Sequence, residues 1–246
     1  LGISTRMTSQ INGLSVGIRN ANDAVNMIAT ADGAAVEITN MLQRMRELAL
    51  QSANGTTTSN DRAAMSTEYG NLLTEIERIG QNTQWNGGDI MDGTYGSTAT
   101  AKFQVGANGG QTIAVNFGVF TSAAATAGTS GYFHSLASSR ATLSQGATGA
   151  SAVATASNAL TLLDSAITTV NTQRSTYGAA INQLTKAVDN MSQTKTNAEA
   201  ARSKILDTDY AAATSELART QIIQQAATAM LAQANQSQNV VLSLLK

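Results

Sequence analysis

A chain of 246 residues with 15 basic and 16 acidic side chains has a net charge of −1, so no overall field draws in nucleic acid or an anionic membrane. Charged residues make up only 13% and aromatics 4%, which leaves a thin core rich in alanine. Without cysteine there is no disulfide, thiolate ligand or cysteine nucleophile, and without proline the usual helix stop is missing, so long helices are expected.

From Ile3 to about Ala53 apolar residues return at helical spacing: Met7, Ile11, Leu14, Ile18, Ala21, Val25, Ile28, Ile38, Leu42, Met45 and Ala49. Leu14, Ala21, Ile28, Ala35, Leu42 and Ala49 keep a heptad repeat. The companion series Ile11, Ile18, Val25 runs into Asp32 and Thr39 before resuming at Ile38 and Met45. A stripe that drifts in this way suggests a bundle rather than an ideal two-stranded coil. Asn54 and Gly55 tolerate the left-handed conformation that closes a helix, and Ser59 or Asn60 is placed to cap a second one to about Thr83. Its apolar face of Leu72, Leu73, Ile76 and Ile79 should fold back on the first helix.

Between Trp85 and about Ala150 helical periodicity lapses. Phe103 and Val105 alternate with polar residues, Gly106 to Gly110 follow, and Ile113, Val115 and Phe117 alternate again, which predicts a β-hairpin. The low-complexity run Thr121 to Gly149 leads to the expectation of a mobile loop. Leu160, Leu163, Ile167, Val170, Tyr177, Ile181, Leu184, Val188 and Met191 then mark a long helix, interrupted only by Arg174, whose stem can cover apolar surface while its head reaches a carboxylate or helix carbonyls. Arg202 to Tyr210 separates it from a last helix. The expected fold is mainly α: an antiparallel bundle of long helices over residues 1–200, with an 84–150 β/loop insert at its far end, and a C-terminal assembly helix over 201–246.

Chemistry-bearing constellations are sparse. His134 is the only histidine, so no histidine pair is available for zinc and a Ser-His-Asp set would rest on one loop residue. Glu75 and Glu77 lie two apart on a helix and point to different sides. Gly106 to Gly110 lacks the following Lys-Ser or Lys-Thr of a phosphate loop, and the sequons at Asn54, Asn190 and Asn235 are short enough to arise by chance. No catalytic, cofactor or metal residue is expected, and no apolar run of about 18 residues is available to span a bilayer. The last helix differs from the others, because its stripe of Leu217, Ile223, Ala227, Met230, Ala234, Val241, Leu244 and Leu245 has no spare helix in the chain to cover it. Its other face carries mainly Gln, Asn and Ser and ends near Lys246, rather than presenting a Lys/Arg belt. That favours packing on protein over a membrane surface.

Six segments resemble a family in order and spacing: RMTSQINGL from Arg6, RNAND from Arg19, QRMRELALQSANGT from Gln43, FQVGANGGQTI from Phe103, ARSKILDTDYA from Ala201 and LAQANQSQNVVLSLL from Leu231. They resemble the terminal regions of bacterial flagellins over roughly residues 1–117 and 155–246. The resemblance implies a self-assembling filament subunit for motility, with chain ends paired as coiled helices in the filament core, a bundle outside them and a variable insert on the surface. It also implies other flagellin subunits as partners, together with flagellar export and capping proteins, and type III export to an extracellular flagellum without a Sec signal. In flagellins sensed by a vertebrate Toll-like receptor, the matching contacts would fall on Gln43, Arg44, Leu48 and Glu68.

The chain departs from the family in opening at Leu1 inside an amphipathic pattern, which reads as an N-terminal truncation, in a short region 118–154, and in lacking a proline near Gln238. Two alternatives stand beside the filament subunit. One is a hook–filament junction protein, which shares the terminal motifs. The other is a flagellin-like surface protein binding a polysaccharide or host surface through Trp85, Tyr95, Phe103, Phe117, Phe120, Tyr132 and Phe133.

Overall fold

The computed structural model describes residues 2–96, 99–122, 131–136, 150–206 and 210–244; most of the low-complexity stretch, and the mobile loop expected in it, lies outside these residues. Helix α1 (Gly2–Ser52) is followed by α2 (Ser59–Asn82), the strands β1 (Gln84–Trp85), β2 (Gly88–Asp89), β3 (Thr100–Gln104) and β4 (Thr112–Asn116), then α3 (Ala150–Leu206) and α4 (Tyr210–Leu244). The chain divides into two compact units, one of residues 9–197 and the other of residues 1–8 with 198–246.

In the larger unit α2 and α3 both run antiparallel to α1. Arg44 meets Glu68 of α2 at 2.8 Å while Arg62 of α2 reaches the carbonyl of Ser52, and along α3 Arg46 meets Asp164 and Asp32 meets Arg174. The buried seam of α1 is Leu14, Gly17, Ala21, Ala24, Ile28, Ala31, Ala35, Ile38, Leu42, Met45, Ala49 and Ser52, alternating by three and four without a break. The drift expected from the large residues is therefore corrected. Ile18 and Val25 only flank the seam, which passes through Gly17, Ala24 and Ala31. Small residues let α1 sit close to its neighbours and keep the 3.5-residue period of a coil.

Helix α3 behaves the same way. Its buried positions Ala156, Ala159, Leu163, Ala166, Val170, Gln173, Tyr177, Ala180 and Leu184 also alternate by three and four, and Leu160, Ile167, Ile181 and Val188 are half-buried beside them. The seam interruption is thus Gln173, not Arg174. Arg174 stands at its edge, 35% exposed, with Nε donating to Asp32 Oδ1 at 2.8 Å. The two charges that break the apolar stripes of α1 and α3 neutralise each other, and the Asp32 hydrogen bond raises the affinity of the guanidinium for its proton.

The link between α1 and α2 also differs from expectation. Neither Asn54 nor Gly55 takes a left-handed conformation. Buried Arg62 closes α1 instead, Nε donating to Ser52 O at 3.0 Å and Nη2 to Asn54 O at 3.1 Å, so carbonyls left over at a helix end gain a cationic donor. The N-cap of α2 is Thr58, in a reciprocal capping box with Asp61, rather than Ser59 or Asn60.

Asn86 and Gly87, at φ 50° and 79°, make the two-residue turn between β1 and β2, while β3 and β4 pair from Thr100↔Asn116 to Gln104↔Thr112. The segment does not sit at the far end of the bundle. It runs back along α1: Asn20 Nδ2 donates to Gln104 O at 3.2 Å, and the β3–β4 loop lies on Gly13 and Gly17, where an added Cβ would fall 2.9 Å from the Ala107 Cβ and 3.3 Å from the Gly106 nitrogen. That loop is closed by amides, with Gln104 Nε2 donating to Asn108 O and Gln111 Oε1 accepting from Asn108 N, as befits a turn and not a phosphate cradle.

Residues 116–120 are tied to α3 by Tyr177, whose hydroxyl donates to Phe117 O at 2.5 Å, and by buried Gln173, which donates to Asn116 O at 2.7 Å and accepts from the Tyr132 hydroxyl at 3.2 Å. Burial pushes the Tyr177 phenol well above its usual range. Phe120 approaches α2 so closely that a Cβ on Gly80 would fall 2.1 Å from its carbonyl oxygen.

The smaller unit includes the end of α3, which continues through Leu206. The Arg202–Tyr210 segment expected to separate the last two helices is thus helical over 202–206, and residues 207–209 lie outside the description. Arg202 Nη1 donates to Thr8 Oγ1 at 3.4 Å.

Candidate assembly and recognition surfaces

Helix α4 is 35 residues long, and every residue from 211 to 234 is exposed. Leu217 is 57%, Ile223 55% and Met230 71% exposed, and Ile222 and Leu231, which the sequence reading left out, are exposed at 66% and 65%. Ala227 and Ala234 lie in the same stripe. Val241 and Leu244 are on the helix but their side chains fall outside the description, as does Leu245 altogether. At helical spacing Ile223, Ala227, Met230 and Ala234 share one exposed face of α4.

The second candidate surface is on α1 and α2. Gln43, Arg44 and Glu68 are exposed on adjacent helices. Leu48 is only 3% exposed and belongs to the core cluster, so it holds α1 in place and offers no surface to a receptor. Arg44 binds Glu47 at 3.0 Å and Glu68 at 2.8 Å, and its hydrogen bonds to Glu47 and then Glu68 hold its proton more tightly. Within one turn of α1, two arginines therefore face two different neighbours, Arg44 pairing with Glu68 of α2 and Arg46 with Asp164 of α3. The sequence showed the arginines but gave no sign of the pairing.

The remaining groups do not converge. Glu75 is taken by Arg78, which holds its carboxyl below the usual range, while Glu77 accepts from Gln81 and from the Ser122 backbone. His134 Nδ1 lies 3.1 Å from Ser122 O. Phe117, Phe120 and Phe133 are fully buried in edge-on and tilted contacts, Phe117 with Tyr95 and Tyr177 and Phe120 with Tyr132 and Phe133, at centroid distances of 5.2–6.4 Å, so these three rings cannot serve as a sugar-stacking platform. No group of three histidine or acidic side chains able to hold a metal occurs among the described residues.

Comparison with known proteins agrees with this arrangement. Residues 1–96 match the bacterial flagellin N-terminal helical region, and residues 160–245 match the bacterial flagellin C-terminal helical region. A flagellin of Halalkalibacterium halodurans is 39% identical over the whole of this chain and 84% of its own length, and one of Bacillus subtilis is 36% identical over the whole chain and 85% of its own length. The crystal structure of Bacillus cereus flagellin superposes with a TM-score of 0.53 at 30% identity, covering 70% of this chain and 88% of that one.

Proposed function

The chain belongs to the bacterial flagellin family and is a structural subunit of the flagellar filament, and from this premise we propose that α4 is its principal assembly element. The observation behind this reading is the exposed stripe of Ile223, Ala227, Met230 and Ala234, with exposed Leu217 on a neighbouring face, on a helix of 35 residues, about 52 Å long. Covering such a face with a helix of a neighbouring subunit removes apolar area from water at roughly 25 cal/mol per Å2. In sequence Val241, Leu244 and Leu245 prolong the stripe. We extend this to a division of labour, in which residues 1–200 carry the bundle with its 84–150 insert and 201–246, which hold the end of α3 and all of α4, carry assembly. The subunit leaves the cell by the flagellar type III route, and export and capping proteins handle it before α4 meets its neighbour; a chain without disulfides or proline suits that passage. The family is structural, and no catalytic step is part of this reading.

The test is an Ile223→Asp, Met230→Asp double variant of the intact protein, viewed by negative-stain microscopy. A charge on the packed face should abolish filaments while leaving the unfolding midpoint of the bundle in place. Long filaments from the double variant would overturn the role given to α4.

A second reading concerns Gln43, Arg44 and Glu68, which we propose as a contact for a vertebrate Toll-like receptor because they form one exposed polar patch across two helices. An arginine fork at the centre of an interface is a frequent hot spot, so Arg44→Ala should lower a receptor reporter signal by about tenfold. No response to the unaltered protein would sink this claim.

A further inference from the structure

We propose that Asn86 is a site of spontaneous backbone modification, converting to aspartate and isoaspartate through a succinimide faster than any other Asn-Gly pair in the folded chain. Four such pairs occur: Asn12-Gly13, Asn54-Gly55, Asn86-Gly87 and Asn108-Gly109. In the reaction the glycine nitrogen attacks the asparagine Cγ, the Cγ–Nδ2 bond breaks and ammonia leaves. Water then opens the five-membered ring at one or other carbonyl. A glycine offers the least steric resistance to ring closure, so all four pairs are equivalent in local sequence and only the fold can rank them.

Three of the pairs are held. Asn12 is inside α1, where the Gly13 nitrogen belongs to the helical ladder and Gly13 is packed against Ala107. The Asn54 carbonyl accepts from Thr57 N and Arg62 Nη2, and its side-chain oxygen accepts from Thr56 N at 3.3 Å. Asn108 donates its backbone N–H to Gln111 Oε1 at 3.0 Å, and its carbonyl accepts from Gln104 Nε2 at 2.6 Å. Swinging any of these peptides toward its own side chain means giving up hydrogen bonds.

Asn86 is different. All four asparagines are exposed, but neither the side chain nor the carbonyl of Asn86 takes part in a hydrogen bond within the described structure. In the turn that joins Trp85 to Gly88, the closing hydrogen bond links the outer residues, which leaves the Gly87 N–H outside the ladder. Asn86 at φ 50° and Gly87 at φ 79° form the left-handed pair that an Asn-Gly turn prefers, so the turn holds this peptide by its own geometry and not by side-chain partners. Isoaspartate would insert a methylene into the main chain of a two-residue turn. The register Gln84↔Asp89 and Trp85↔Gly88 could not then survive, and the only tryptophan of the chain would change its surroundings.

The intact protein, kept for days in mildly alkaline buffer, is sampled by peptide mass spectrometry and by tryptophan fluorescence. Asn86 should convert about tenfold faster than Asn12, Asn54 or Asn108, the factor to which the loss of roughly one hydrogen bond corresponds. Fluorescence should change with the same time course. An Asn86→Gly variant, which keeps a glycine pair suited to the turn, should remove the fluorescence drift, and in strong urea the four rates of the natural chain should draw together. Equal rates in the folded protein, faster reaction at Asn54 or Asn108, or a drift that persists in Asn86→Gly would each overturn the proposal.

Discussion

The middle of α1 and the middle of α4 carry large apolar residues at the same helical spacing and treat them in opposite ways. Ile38 and Leu42 are fully buried between α2 and α3, whereas Ile223 and Met230 are more than half exposed. An apolar stripe states that a helix has a face to cover. What covers it depends on whether this chain supplies neighbours at the right length and direction, as α2 and α3 do for α1. On this exposed face of α4 we place the proposed contact between subunits.

The contrast breaks most visibly under equal truncations. Ile38→Ala should cost about 2–5 kcal/mol of stability in urea unfolding, because a seam bordered by alanines collapses little around the lost atoms. A cost near zero would mean that the seam is loosely packed. The close approach of Phe120 to α2 offers a second lever. Gly80→Ala puts a methyl group where a carbonyl oxygen already stands 2.1 Å away and should cost about 1–3 kcal/mol in the same measurement.

Smaller effects sharpen the picture at the edges of the bundle. Thr58→Ala removes the N-cap of α2 and should cost about 1 kcal/mol. Its partner Asp61 is held below the usual carboxylate range, first by the Thr58 hydroxyl and then by the Thr58 backbone N–H. The sign follows from a folded value below the unfolded one: the box stabilises fully above the unfolded carboxylate range and is lost as pH falls through the lower folded value. Thr58→Ala should therefore flatten the acid limb of the stability profile, and an unchanged limb would remove the box from the account. For Asp32 and Arg174, about a third exposed each, a double-mutant cycle should give a coupling of no more than ~1 kcal/mol, as expected for a screened pair. At the small end, Ile223→Ala should shift the unfolding of the bundle by less than ~0.5 kcal/mol while weakening filament growth. A large shift in unfolding would place Ile223 in the folded core and erase the difference between the two helices.

The sequence by itself determined the helices, the fold-back of α2, the β3–β4 hairpin and the family, because these rest on local periodicity, turn residues and long motif runs. It also marked Asp32 and Arg174 as breaks in two stripes, and the large apolar residues of the last helix, Ile223 and Met230 among them, as surface in search of a partner. Tertiary structure decided the rest. The companion row through Gly17, Ala24 and Ala31 was hidden, since small residues are as inexpensive on a surface as in a core and the larger Ile18 and Val25 beside them drew the apparent stripe to one side. Gln173 took the seam position beside Arg174 because its amide finds Asn116 O and the Tyr132 hydroxyl, partners 57 and 41 residues away. Leu48, assigned to a receptor surface by its motif, faces inward. Arg62 closes a helix ten residues before it. The insert runs back along α1 because Gly13 and Gly17 let a loop lie on the helix. In each case the deciding partner is distant along the chain, and a hydrogen bond or close contact between distant residues leaves no trace in the spacing of either one.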